Sequence, residues 1–112
     1  MTSDQGDVLA EPHFLSAPVN STVQAGRVAS LVCHISVSET YKVAWVRVGT
    51  QTVLSYNDIV ITKNHRIRVS HPEDNEWRLE ISDVRRRDAG YYMCQAVSTL
   101  NTRFQRTKSL RE

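Results

Sequence analysis

No stretch of the 112-residue sequence is apolar for anything near the roughly 20 residues that a membrane helix needs. The longest such runs are Val43-Ala44-Trp45-Val46 and Ile59-Val60-Ile61. Met1 to Glu11 has neither a basic start nor an apolar stretch, so it does not read as a signal peptide. A strong charge of one sign is missing too: 14 Lys and Arg stand against 12 Asp and Glu, for a formal net charge of +2. A nucleic-acid partner, which usually demands a clustered basic face, is therefore not expected. The one basic run, Arg85-Arg86-Arg87, is flanked by Asp83 and Asp88 and reads as a solvated turn. There are two cysteines and four histidines, and no close pair of them has ligand spacing, so no metal site is expected. Nucleophile elbows, phosphate loops and metal motifs do not occur. Catalytic residues, cofactors and a small-molecule substrate are accordingly not expected.

What remains is globular composition, 40% hydrophobic and 23% charged, at a length that fits one domain. Met1 to Pro12 is polar and is expected to be disordered, with a single domain over residues 13–110. Within it, β-branched and aromatic residues recur at period two between turn-prone residues. His13 to Ala25 reads as a first strand split near Pro18, since proline cannot donate to a ladder. Further strands are expected at Arg27–Ser36, Tyr41–Val48, Thr52–Tyr56, Ile59–Thr62, Arg66–His71, Glu76–Ser82, Gly90–Val97 and Thr102–Leu110. A polar turn at Pro72–Asn75 separates two of them. About nine or ten short strands in roughly 100 residues predict an all-β, two-layer antiparallel sandwich.

Cys33 and Cys94 lie 61 residues apart, each in mid-strand. They can face each other across two packed sheets, where a disulfide spans Cα atoms about 5.5–6 Å apart. Trp45, 12 residues after Cys33, can pack its indole on the sulfurs. Tyr92, two residues before Cys94, can turn its hydroxyl to a backbone group near Asp88 and pin the crossover between sheets.

Cys33, Trp45, Leu79 and the run Asp88-Ala89-Gly90-Tyr91-Tyr92-Met93-Cys94 resemble the immunoglobulin superfamily, over residues 13 to 110. The resemblance implies an immunoglobulin-like Greek-key sandwich. The room between Trp45 and Arg66 for two extra strands, C′ and C″, makes it similar to a variable-type domain, V-set or I-set-like. It also implies a salt bridge between Arg66 and Asp88, 22 residues apart. The segments Asn64 to His71, Asn75 to Ile81 and Tyr92 to Gln95 are similar to the first domains of a neuronal adhesion group. That group comprises the insect Dpr proteins, the Dpr-interacting proteins, lachesin and the IgLONs. Tyr41 to Trp45 and Ile59 to Thr62 look most like the Dpr-interacting proteins.

With Trp45, Tyr92 and Cys94 facing the core, the period-two rule turns Ala44, Val46 and Val48 outward on one strand and Tyr91, Met93, Gln95 and Val97 on another. Some of Leu54, Tyr56, Ile59 and Ile61 extend that face, their facing left open by the pattern; Tyr56, Ile59 and Ile61 are the ones expected to bind a partner. So apolar a face, rimmed by Lys42, Asn57, Lys63 and Gln95, has the composition of an interface core and rim. In the resembling group this GFCC′C″ sheet binds a cognate domain or a second copy. The resemblance thus implies a protein partner and an extracellular recognition domain, at the cell surface or secreted, with any membrane attachment outside this segment. Asn20-Ser21-Thr22 is a glycosylation sequon in keeping with a secreted route. Two other readings stay open: a structural repeat of an intracellular filament protein, and an immune-type receptor variable domain. Arg103, Gln105, Arg106, Lys108 and Arg111 make the last strand the poorest fit, with Phe104 and Leu110 its only large apolar residues.

Overall fold

The computed structural model describes residues 12–15, 21–98 and 103–111, with backbone alone over 103–106. Among the described residues, ten strands form two sheets. They are β1 (His13–Phe14), β2 (Ser21–Thr22), β3 (Ala29–Ser36), β4 (Tyr41–Arg47), β5 (Thr52–Tyr56), β6 (Ile59–Val60), β7 (Ile67–Glu73), β8 (Glu76–Ile81), β9 (Gly90–Ser98) and β10 (Arg103–Arg111). One sheet has the order β1-β3-β8-β7 and the other β2-β10-β9-β4-β5-β6. All pairings are antiparallel except that of β10 with β2. The first strand is split: β1 pairs with β3 in one sheet and β2 with β10 in the other. Asn20 and Pro18 lie outside the described residues, as does the expected disordered segment apart from Pro12, which is buried.

Strict alternation builds the core. Ala29, Leu31, Cys33 and Ile35 of β3 are buried, with Trp77, Leu79 and Ile81 of β8 opposite them in register. From the second sheet come Val43 and Trp45 of β4 and Tyr92, Cys94 and Ala96 of β9. Cys33 and Cys94 are bonded across the layers with Cα atoms 6.4 Å apart. Trp45 and Leu79 have no exposed surface.

Two register irregularities shape the sheets. Between β4 and β5 the register jumps: Val46 faces Val53 while Trp45 faces Ser55. Leu54, the extra residue, turns into the core. Between β7 and β8 the register shifts from Ser70 to Glu73, so Pro72 sits in a bulge where its missing N–H costs no ladder bond. The strand therefore runs to Glu73, and the turn expected at Pro72–Asn75 narrows to Asp74–Asn75. The unpromising last strand pairs with β9 from Arg103 opposite Val97 to Leu110 opposite Gly90. A ladder is made by backbone groups, and β9 supplies them whatever side chains face it.

The base of the sandwich is held by charge. Arg66 Nη1 and Nη2 donate to Asp88 Oδ2 and Oδ1 at 2.6 and 2.9 Å. The backbone N–H of Arg85 donates to the same carboxylate at 2.8 Å, and the Tyr92 hydroxyl donates to the Asp88 carbonyl at 2.6 Å. Burial pushes the Asp88 carboxyl up, but the hydrogen bonds from Arg66 and Arg85 and the charges of Arg66 and Arg47 together hold it below the usual carboxylate range. Burial is also the main cause that raises the Tyr92 phenol.

Two outcomes are expected. Replacing both cysteines by Ala removes a long loop closure worth ~4 kcal/mol, measurable by urea unfolding. Asp88, ionised more readily folded than unfolded, contributes stability that is full above its unfolded value of about 4 and is lost as pH falls through its lower folded value. Asp88→Asn should therefore be less stable at pH 7 and show a shallower loss of stability below about pH 4 in pH-dependent melts.

Candidate protein-binding face

The side of the six-stranded sheet turned away from the core is built from alternate residues of β4, β5, β6 and β9. Cross-strand register sets its rows. Gln95, Ala44, Tyr56 and Ile59 form one, and Met93, Val46 and Val53 the next. Val97 stands opposite Lys42 at one end. At the other end the Val48 N–H donates to the Tyr91 carbonyl at 3.0 Å. Asn57 locks the β5–β6 hairpin against β4: its Oδ1 accepts from the Val43 N–H at 3.0 Å, and its N–H donates to the Val43 carbonyl at 2.7 Å. Asn57 has a φ of 54°, a conformation that asparagine tolerates better than most residues.

The face differs from the expected one at its centre. Ala44 and Val46 are 4% and 5% exposed, not open to water. Both sit between side chains of the two neighbouring strands: Gln95 and Tyr56 beside Ala44, Met93 and Val53 beside Val46. The Gln95 amide reaches Met93 Sδ at 3.3 Å and lies along the sheet. Neighbours within the same sheet thus close over the small residues, with no further layer required. Met93, Gln95, Val97 and Val48 are half-buried.

The water-facing apolar surface lies instead toward the β5–β6 edge and at Tyr91. Tyr56 is 41% exposed, Ile59 64%, Ile61 53% and Tyr91 56%. Val53, at 42%, belongs to it and has no warning in the local alternation, because the register jump alone brings it opposite Val46. Leu54 belongs to the core. Five exposed large apolar side chains on one sheet face form a patch of the kind that marks a contact surface.

Arg47 is a residue that strand alternation could have flagged: it follows Val43 and Trp45 on the inward side of β4. At the base of the sandwich it donates to the Tyr92 hydroxyl (3.0 Å) and to the carbonyls of Arg87 (3.0 Å) and Ala89 (2.9 Å). Its guanidinium also lies 4.9 Å over the Tyr92 ring. A Cβ on Gly90, whose φ is +145°, would sit 3.2 Å from Arg47 Nη2, so glycine serves both the backbone and the side chain. Among the described residues no group of three His, Cys, Asp or Glu could hold a metal ion.

The immunoglobulin I-set domain family matches residues 12–108. Roundabout homolog 2 of Homo sapiens is 34% identical over 91 residues, covering 81% of this chain and 6% of that protein, so the chain spans a small part of such relatives. Myotilin of Mus musculus is 33% identical over 113 residues, 92% of this chain and 21% of that protein. Among solved structures, a chain from Dpr1 IG1 bound to DIP-eta IG1 matches with a TM-score of 0.83 and 40% identity. That match covers 90% of this chain and 94% of that one.

Burial separates the two kinds of face residue experimentally. Val46→Asp should destabilise the fold by ~3–5 kcal/mol, because it buries a carboxylate without a partner. Ile59→Asp and Ile61→Asp should stay within about 0.5 kcal/mol of wild type in urea unfolding.

Proposed function

Because the chain belongs to the immunoglobulin I-set family, we propose that it is a protein-recognition domain of a cell-surface adhesion molecule. It binds a second immunoglobulin-type domain, in a cognate protein or in another copy of itself, through the outer face of its six-stranded sheet. The observation that carries this reading is the exposed apolar group Val53, Tyr56, Ile59, Ile61 and Tyr91 on one side of a rigid sheet. Ala44, Val46, Val48, Met93, Gln95 and Val97 form the floor and flank of the same surface, and burial of the outer ring against a partner would seal them. The similar solved structure is itself a complex of two such domains, one Dpr and one DIP. Neuronal cell–cell recognition is the setting that this likeness favours.

The bond between Cys33 and Cys94 supports an extracellular, cell-surface or secreted location, where disulfides persist. Glycan on Asn20 belongs to the same reading. The domain acts by contact and carries no catalysis: its core is spent on the sandwich and its exposed face is apolar. A second reading, an intracellular structural module, is favoured by the likeness to Myotilin. Free thiols and an unmodified Asn20 in protein from its native source would select it.

Sedimentation of the isolated chain, alone and mixed with candidate immunoglobulin ectodomains, tests the first reading. Self-association or a stable mixed complex is expected. Ile59→Asp or Ile61→Asp should weaken it by on the order of a hundredfold, as loss of an apolar anchor does. Undiminished association in both variants would assign binding to a different surface.

A further inference from the structure

A cleft of about 690 Å³, open to solvent, lies at the base of the sandwich, where the end of β4, the segment before β7 and the turn at Arg86–Asp88 meet. Arg47, Lys63, Arg66, Arg85 and Arg87 line it, with Asp88 as the one carboxylate. Five of the chain's 14 Lys and Arg thus gather in one place with one of its 12 Asp and Glu. Asp83 and Asp88 offset part of this charge in space as they do along the sequence, two carboxylates against five cations. Asp88 is taken by Arg66 in a two-pronged pair. The Asp83 carboxylate pairs with Arg85 at 3.4 Å, both side chains at least half exposed, a geometry worth little in water, and its charge also acts on Arg66.

The remaining cations outnumber the carboxylates near them. Arg47 donates to a hydroxyl and two backbone carbonyls, all neutral, and acts on the Asp88 charge only through space, beside the direct pair that Arg66 makes. Lys63 and Arg87 are exposed and enter no ion pair among the described residues. Two guanidiniums are held rigid by several hydrogen bonds each, and three more exposed arms surround them. A fixed positive floor with adjustable arms suits an anion, because less side-chain order is lost on binding. An open cleft, unlike an enclosed one, lets a linear chain pass through.

We propose that this cleft binds a sulfated polysaccharide, its sulfate oxygens accepting from Lys63, Arg85 and Arg87 beside the fixed guanidinium of Arg47. Arginine forks match the oxygen spacing of sulfate as they do that of phosphate. The choice of sulfate rests on the proposed extracellular location. The site is separate from the apolar face: Lys63 follows Ile61 by two residues but faces the base.

The test is binding of the whole chain to a short heparin-derived oligosaccharide, measured by calorimetry over a range of salt. Binding at physiological ionic strength that weakens steeply with added salt is expected. Lys63→Ala with Arg87→Ala should lose on the order of tenfold or more in affinity. Lys42→Ala with Arg68→Ala removes the same charge from elsewhere on the surface and should change it less than about twofold. All four residues are exposed, and unchanged melting temperatures would show that the variants fold. No binding to heparin, equal losses in both double variants, or equal affinity for a desulfated chain would overturn the proposal. Tighter binding to vesicles bearing a phosphoinositide would also overturn it, in favour of a lipid headgroup. Ile59→Asp should leave heparin binding intact. If it abolishes heparin binding, the cleft is the wrong site whatever the face does; if it spares both heparin binding and association, the proposal for the face falls and the cleft stands.

Discussion

A bond between the middles of β3 and β9 sets the side on which every neighbouring residue must lie. Once Cys33 and Cys94 point at one another, the pleat assigns Leu31 and Ile35, Tyr92 and Ala96 to the core, and Val32, Met93 and Gln95 to the outside. A slip of one residue in either strand would turn all of them over. Trp45 carries the same constraint to β4 through its register with Cys94, and β5 takes it from β4. The apolar outer face is a consequence of this chain of registers. It is the remainder left when the inward positions have been filled.

The base of the sandwich works by a different rule. A buried carboxylate must be paired, and Asp88 is paired several times over, by Arg66, by the Arg85 N–H and through its carbonyl by Tyr92. Two arginines converge on that corner, but one carboxylate can neutralise only one of them. Arg47 is satisfied in hydrogen bonds, and its charge adds to that of Arg66 on the same carboxylate. Stability at this end and surplus positive potential are therefore two results of the same arrangement.

Much of the sandwich was legible because its signals are local. Alternation in Ala29–Ser36 and Glu76–Ile81 names the buried side directly, and Asn57-Asp58 marks the hairpin between β5 and β6. The last strand was poorly legible for the opposite reason: β10 is recruited by the backbone edge of β9, which leaves no mark on Gln105 or Lys108. Pro72 misled by reading as a turn, since a bulge accepts it within a strand.

Residue order along the chain was enough to establish the two-layer β architecture, the inward side of each long strand and the residues able to join the layers, because each depends on period two and on spacing within or between strands. Exposure was not in it. Ala44 and Val46 point outward as the pleat requires, yet Met93, Val53, Gln95 and Tyr56 close over them, and those neighbours come from strands placed beside β4 only by folding. The basic cleft has the same origin. Arg47, Lys63 and Arg87 are separated by 16 and 24 residues, and charge adds up through space, not along the chain.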